Sequence, residues 1–248
     1  MRWILRGIIL SVGFFLIWQT IVSFWQIPNY LLPAPEQVIL TLYQQKQLIA
    51  SQALTTIIEI LLGFILGIAL GCVAGCTIAF FRPLAFWFLP ILIISQAIPS
   101  FAIAPLIVVW LGYGLTSKIA VTLLMVFFPV ASALYDGLRQ THPDWIDLAH
   151  TMHAQKWRIF CFIRFPAALP AFASGIRIAA VAAPIGAIVG EWVGSSRGLG
   201  YLMLNANARL QIDMMFAALF VIILQALVLY FIVDRILRKL EQHYSHPL

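Results

Sequence analysis

The stretch LTTIIEILLGFILGIALGCVAGCTIAFF, residues 54–81, holds one charged side chain, Glu59, in 28 residues. It also carries four glycines, Gly63, Gly67, Gly71 and Gly75, at steps of four. A helix of that length and polarity crosses the ~30 Å hydrocarbon core of a bilayer. Glycines four apart fall on one helix face and leave it bare backbone. Membrane helices approach closely along such faces, because lipid supplies no hydrophobic drive between them. The expectation is a membrane helix packed through its glycines, with Phe64 and Ile68 turned to lipid.

Outward from this run, five further apolar stretches bounded by Pro, Gly and charge are predicted as spans: 7–24, 84–111, 118–138, 169–193 and 214–236. Pro90, Pro99 and Pro105 predict a kinked or broken helix over 84–111. Gly175, Ala179, Ala183 and Ala187, with Gly186 and Gly190 beside them, repeat the smooth face in 169–193. The first span follows Arg2 and Arg6 like a signal peptide, but no small-x-small cleavage site comes after it, so an uncleaved helix is expected. Composition agrees. Of 248 residues, 62% are apolar and 10% charged, against ~45–50% and ~25% in soluble domains. The fold expected is an all-α polytopic membrane protein of six helices. Its parts are a first helix with an outer amphipathic segment (1–53), a five-helix core (54–240) containing an inner loop at 139–166, and a tail (241–248).

The net charge of +6 comes from basic residues scattered singly, with no stripe or motif for nucleic acid. With the N-terminus inside, the inner side holds Arg2, Arg6, Arg82, Arg139, Lys156, Arg158, Arg164, Arg235, Arg238 and Lys239. The outer side holds Lys46, Lys118, Arg197 and Arg209. This bias puts both termini in the cytoplasm. Cys72 and Cys76 lie in an apolar run and Cys161 on the inner loop, which implies packing rather than a disulfide framework or metal site. Polar groups within spans are few: Glu59, Ser95, Gln96, Arg177 and Glu191. Glu59 and Glu191 are expected near the outer helix ends, within reach of water, and Arg177 is expected to snorkel inward. They form no relay through the bilayer centre, which argues against an ion-coupled secondary carrier. They form no convergent catalytic set, which argues against a membrane enzyme.

A path for a small polar solute needs places where helices break or pack loosely. Pro99 frees a carbonyl with Ser95, Gln96 and Ser100 within one turn. Pro184 does the same with Gly186 beside it and Glu191 about two turns further out. A cavity between the third and fifth spans is expected there.

The inner loop is the most informative region. His142-Pro143-Asp144-Trp145-Ile146-Asp147 reads as a helix start, with Asp144 as cap and Asp147 three residues later in a capping-box-like arrangement. After a bend at His153 the chain restarts over 154–163 and is expected to stop at Phe165-Pro166. Two short amphipathic helices facing the cytoplasm suggest a docking surface, with a surface-lying lipid anchor as the alternative. His150 and His153 lie three apart, but with no third ligand nearby they are read as solvated or interface residues.

This loop resembles the permease subunits of binding-protein-dependent ABC importers, whose pattern is Glu-Ala-Ala, three residues, Gly, nine residues, Ile-x-Leu-Pro. Here the positions are Asp147-Leu148-Ala149, His153 and Ile163-Arg164-Phe165-Pro166, with the spacing kept. Ala149, Ile163 and Pro166 match; Asp147, Leu148, His153 and Phe165 depart. His153 replaces a glycine, and His enters the left-handed region more readily than most residues. Further stretches are similar to the nitrate, taurine and alkanesulfonate group: Leu32-Pro33-Ala34-Pro35, Ile98-Pro99, Ala104-Pro105-Leu106, Gly112-Tyr113-Gly114, Gly190-Glu191-Trp192 and Gly198-Leu199-Gly200-Tyr201. Ala183-Pro184-Ile185-Gly186 and Asn205-Ala206-Asn207-Ala208-Arg209 look most like permeases for hydroxymethylpyrimidine, a thiamine precursor.

The resemblance implies a type I importer permease in the bacterial inner membrane. It implies a pair of permeases, expected as a homodimer, with two ABC ATPase subunits and a periplasmic or lipid-anchored substrate-binding protein. The chain has no phosphate-cradling Gly-x-x-x-x-Gly-Lys loop, so ATP and Mg are expected on the ATPase and no cofactor on this chain. Asp147, Leu148, Ala149, Met152, His153, Ala154, Trp157, Ile163 and Pro166 are the implied coupling residues. Taurine, alkanesulfonate, nitrate and riboflavin are the alternative substrates.

Overall fold

The computed structural model describes residues 2–244, apart from the side chains of residues 2–8, 10, 11, 14, 82, 93, 95–97, 100, 243 and 244. Within that range all regular structure is helical. In chain order the helices are α1 (Arg2–Phe24), α2 (Pro35–Gln44), α3 (Lys46–Phe80), α4 (Arg82–Ala97), α5 (Ser100–Leu111) and α6 (Leu115–Arg139). They continue as α7 (Pro143–Thr151), α8 (Lys156–Ile159), α9 (Phe165–Gly194), α10 (Leu199–Ala208) and α11 (Ile212–Tyr244). Among the described residues, four helical stretches are long and apolar enough to cross a membrane unaided: Lys46–Phe80, Leu115–Arg139, Lys156–Gly194 and Ile212–Gln242.

Proline decides how the third span is cut. Ile98 (ψ 120) and Pro99 (φ −57, ψ 127) are extended between α4 and α5. Proline lacks an N–H and disfavours helix in the residue before it, so Pro99 ends one helix and begins the next. Pro90 and Pro105 stay inside α4 and α5. The expected break is there, at one of the three prolines.

The other proline expectation fails. The chain does not stop at Phe165-Pro166. Phe160–Arg164 form a turn of π-helix, in which the Phe165 N–H reaches back to the Phe160 carbonyl, and α8 runs through it into α9 as one 39-residue stretch. The wider turn lies directly before Pro166, where the helical ladder loses a donor, so the helix continues through a local bulge.

The chain forms two units: Met1–Thr55 with Ser196–Ile223, and Thr56–Ser195 with Leu224–Leu248. In the first, Phe15 and Trp18 of α1 lie 6.1 and 5.6 Å from Phe220 and Phe216 of α11. The Thr41 hydroxyl on α2 donates to Asp213 (2.8 Å), and the Gly198 N–H donates to Gln52 (2.6 Å).

The second unit is built on α6, clasped by two smooth faces. A Cβ on Gly63 would lie 2.5 Å from Thr122 Cβ, on Gly67 2.6 Å from Val126 Cβ, on Gly71 2.8 Å from the Phe127 carbonyl oxygen, and on Gly75 2.9 Å from that of Ala131. From α9, Gly175, Gly186 and Gly190 approach Pro129, Thr122 and Lys118 in the same way. The close packing read from both glycine rows is there, and α6 is the helix they share. Phe64, expected against lipid, is instead 6% exposed in the core with Ile60, Val126 and Ala183. With α3 and α9 both closed on α6, the flank of the glycine face meets residues of α9 such as Ala183, so Phe64 packs inward. Cys72, Cys76 and Cys161 pack together against Leu134, Leu138 and Phe160.

Candidate functional site

The loop at 139–166 folds as two short helices around His153. The cap of α7 is His142, not Asp144. Pro143 takes the first helical position, where a missing N–H is harmless, and Asp144 lies in the first turn, 3.3 Å from His142 Nδ1. A fixed proline φ starts the helix two residues earlier than the side-chain pattern suggests, so Asp147 lies beyond any capping box, exposed. The helix closes with the hydrogen bonds of a Schellman motif: His153 N–H to the His150 carbonyl (3.0 Å) and Ala154 N–H to the Ala149 carbonyl (2.9 Å). His153 has φ 56, the left-handed position that glycine usually fills. The bend survives the substitution of glycine because the backbone geometry is kept.

This bend divides the loop's apolar residues. Ala149 is buried, and Ile163, Pro166 and Ala154 are half-buried. Leu148, Met152 and Trp157 are 62%, 75% and 62% exposed, with Trp145 beside them. Large apolar side chains gathered outside the spans on one polar loop mark an interaction surface. The loop is rooted in the bundle through the unbroken Lys156–Gly194 stretch.

The buried acids are not open to water as expected. Glu59 and Glu191 are fully buried, and Lys118 is 5% exposed. Lys118 Nζ donates to Glu59 Oε1, and the Thr56 hydroxyl donates to Glu191 (2.6 Å). Gly190 lets the α9 backbone lie against Lys118, where a Cβ would come 3.0 Å from Lys118 Cα. A charge can stay in a dry seam only when paired, and Lys118 supplies the pairing. The charge bias places Lys118 on the outer side without saying that it is buried. Its place in the first turn of an apolar helix, opposite two acids on helix faces of glycine, was the available signal.

Arg177 ends on carboxylates rather than in open water. Its Nε donates to Asp234 (2.9 Å), and its two terminal nitrogens donate to Glu241 (3.0 and 2.8 Å); Arg238 donates to the other Asp234 oxygen (2.8 Å). The bidentate geometry is the strong form of the Arg–carboxylate pair. It ties α9 to the last turns of α11. Opposite charges in the fifth and sixth spans were the signal for this partnership.

Among the described residues, Pro99 lines a cavity that Pro184, Gly186 and Glu191 do not line. Gly186 faces Thr122, with 2.8 Å available for a Cβ, and Pro184 and Glu191 are buried. A bare face permits close approach, and this part of α9 packs directly against α6. Pro99 is exposed and lines a cavity of about 530 Å³ with Ile98, Ile103, Leu124 and Met125, between the α4–α5 break and α6. The side chains of Ser95, Gln96 and Ser100 lie outside the described residues.

Residues 63–246 match the family described as binding-protein-dependent transport system inner membrane component. The chain belongs to this family. It is 48% identical to a Haemophilus influenzae protein named "Probable ABC transporter permease protein", over 93% of this chain and 95% of that one. It is 38% identical to the riboflavin transport system permease protein RibX of Chloroflexus aurantiacus, over 86% and 80%. It is 43% identical to the formylaminopyrimidine transport permease protein ThiX of Halalkalibacterium halodurans, over 54% and 53%. Among solved structures, the MetNI methionine ABC transporter in an inward-facing conformation matches 79% of this chain and 97% of its own, with TM-score 0.69 at 20% identity. The fold is that of a type I importer permease. The permease is a multi-pass inner-membrane component of an ABC importer, in which a separate subunit hydrolyses ATP. Family membership excludes the carrier and membrane-enzyme readings.

Proposed function

We propose that the permease works as a homodimer on two ATPase subunits and imports hydroxymethylpyrimidine or a close thiamine-precursor pyrimidine delivered by a binding protein. Both termini and the loop at 139–166 face the cytoplasm. Leu148, Met152 and Trp157, with Asp147 beside them, dock in a groove of the ATPase. Ala149, His153, Ala154, Ile163 and Pro166 hold the bend and connect it to α9. The observation that carries the docking is the exposed apolar patch on a loop whose bend is fixed by backbone hydrogen bonds. Solute passes beside the α4–α5 break, where Pro99 interrupts the helix and Ser95, Gln96 and Ser100 lie in the adjoining turns. Pro184, Gly186 and Glu191 serve the packing of α9 behind that path. The pyrimidine reading is supported by the similarity to ThiX. Riboflavin is the second reading, favoured by the longer match to RibX.

The test is uptake of radiolabelled hydroxymethylpyrimidine in cells with and without the permease gene, competed by excess riboflavin or taurine. Uptake lost with the gene and competed only by the pyrimidine is the expected result. Competition by riboflavin replaces the substrate and leaves the importer standing.

A further inference from the structure

The apolar run of α3 ends at Phe80, and the helical stretch that becomes α9 begins at Lys156. Between these ends and α7 lies a cavity of about 620 Å³, within the ~300–1,000 Å³ of small-ligand sites. Its wall has two chemistries. His150, Lys156 and Arg164 supply nitrogen donors, and Phe80, Phe160 and Ile146 supply apolar surface. Among the described residues no Asp or Glu lines it. The lining rings Phe80 and Phe160 lie 5.4 Å apart, and Trp157, behind the wall, lies 6.0 Å from each.

A carboxylate-free basic cavity selects an anion. Phe80 and Phe160 give the cavity an apolar wall at the end of an apolar span, so the anion that uses both the cations and this wall carries apolar groups of its own, as a lipid does. A soluble phosphate would use the cations and leave the aromatic wall idle. We propose that the cavity binds the phosphodiester headgroup of an anionic phospholipid, held by Lys156, Arg164 and His150, with its glycerol side against Phe80 and Phe160. Basic pockets between membrane helices on the cytoplasmic side take such headgroups, and the assignment rests on the cytoplasmic placement of the loop given above. A lipid so held is a wedge between α3 and the α7–α8 pair, and fixes the angle at which the loop meets the ATPase.

The test uses the full chain, purified with the ATPase that accompanies it, in nanodiscs of mixed phosphatidylcholine and phosphatidylglycerol. Lipid retained on the permease after release is counted by native mass spectrometry. Wild type is expected to retain phosphatidylglycerol over phosphatidylcholine, and the Lys156→Gln/Arg164→Gln variant to retain it about tenfold less. Lys156→Arg keeps the charge and is expected to keep the lipid. Equal retention of both lipids by wild type overturns the proposal without needing a variant. So does unchanged retention by a double variant that melts like wild type, or complete displacement by millimolar inorganic phosphate, which makes the site one for a soluble anion. Retention is read on the permease itself, so an ATPase that fails to co-purify overturns the docking reading and leaves the lipid result to be scored alone.

Discussion

Gly67 and Lys118 show what single side chains do in the seam. A Cβ at Gly67 would come within 2.6 Å of Val126, so Gly67→Leu overpacks a joint between two backbones. The expected loss is about 1–3 kcal/mol or more, read as a lower melting temperature in detergent, while Leu66→Ala, at a position 47% exposed, melts like wild type. Equal melting of the two variants would remove the close-packing account. Lys118→Met leaves Glu59 buried and unpaired, which costs about 3–5 kcal/mol when one partner of a buried pair is removed. Lys118→Met with Glu59→Met is expected to recover most of that loss. If the double variant is no more stable than Lys118→Met, the pair is not the reason these charges coexist.

At the scale of elements, the α7–α8 bend joins docking surface to bundle. His153→Gly removes a left-handed side chain that costs roughly 1–2 kcal/mol and is expected to melt at or above the wild-type temperature. His153→Val puts a β-branched residue at φ 56 and is expected to lower both melting temperature and ATPase co-purification. Wild-type behaviour of His153→Val would mean that the turn is not held as described. Asp147→Lys changes an exposed charge outside the cap, so its effect is confined to docking. ATPase co-purification and uptake are expected to fall about tenfold, as for loss of one strong interface contact. The bend was legible because the spacing around His153 matches a family pattern in which glycine holds the turn. The cap lies at His142 rather than Asp144 because Pro143 sets the helix start by φ, and side-chain patterns do not report φ.

For the whole molecule, the decisive measurement is where water reaches between helices. With Cys72, Cys76 and Cys161 replaced by Ala, Ile98→Cys beside the α4–α5 break is expected to react with a water-soluble thiol reagent at a rate that changes when nucleotide is trapped on the ATPase. Gly186→Cys, facing Thr122 at packing distance, is expected to stay unreactive in every state. Reaction at Gly186→Cys with none at Ile98→Cys would move the path to the α9 side. The expected cavity between third and fifth spans was drawn from two prolines, and a proline reports a missing hydrogen bond without reporting which neighbour faces the gap.

The sequence by itself determined the presence of the apolar runs, a break or kink among three prolines of the third, the smooth faces of two helices and the position of the loop. All of these follow from local quantities: hydropathy over a window, a missing N–H, a missing Cβ and the spacing of a short motif. Only the tertiary structure decided that both glycine faces close on α6, that Lys118 is buried against Glu59, that Arg177 is held by Asp234 and Glu241, and that Phe64 lies inside. Those depend on which helix lies beside which. In a bilayer, where every face of every span can be apolar, hydropathy carries no record of the neighbour, and partners are chosen by the fit of surfaces and the pairing of the few charges they must hide.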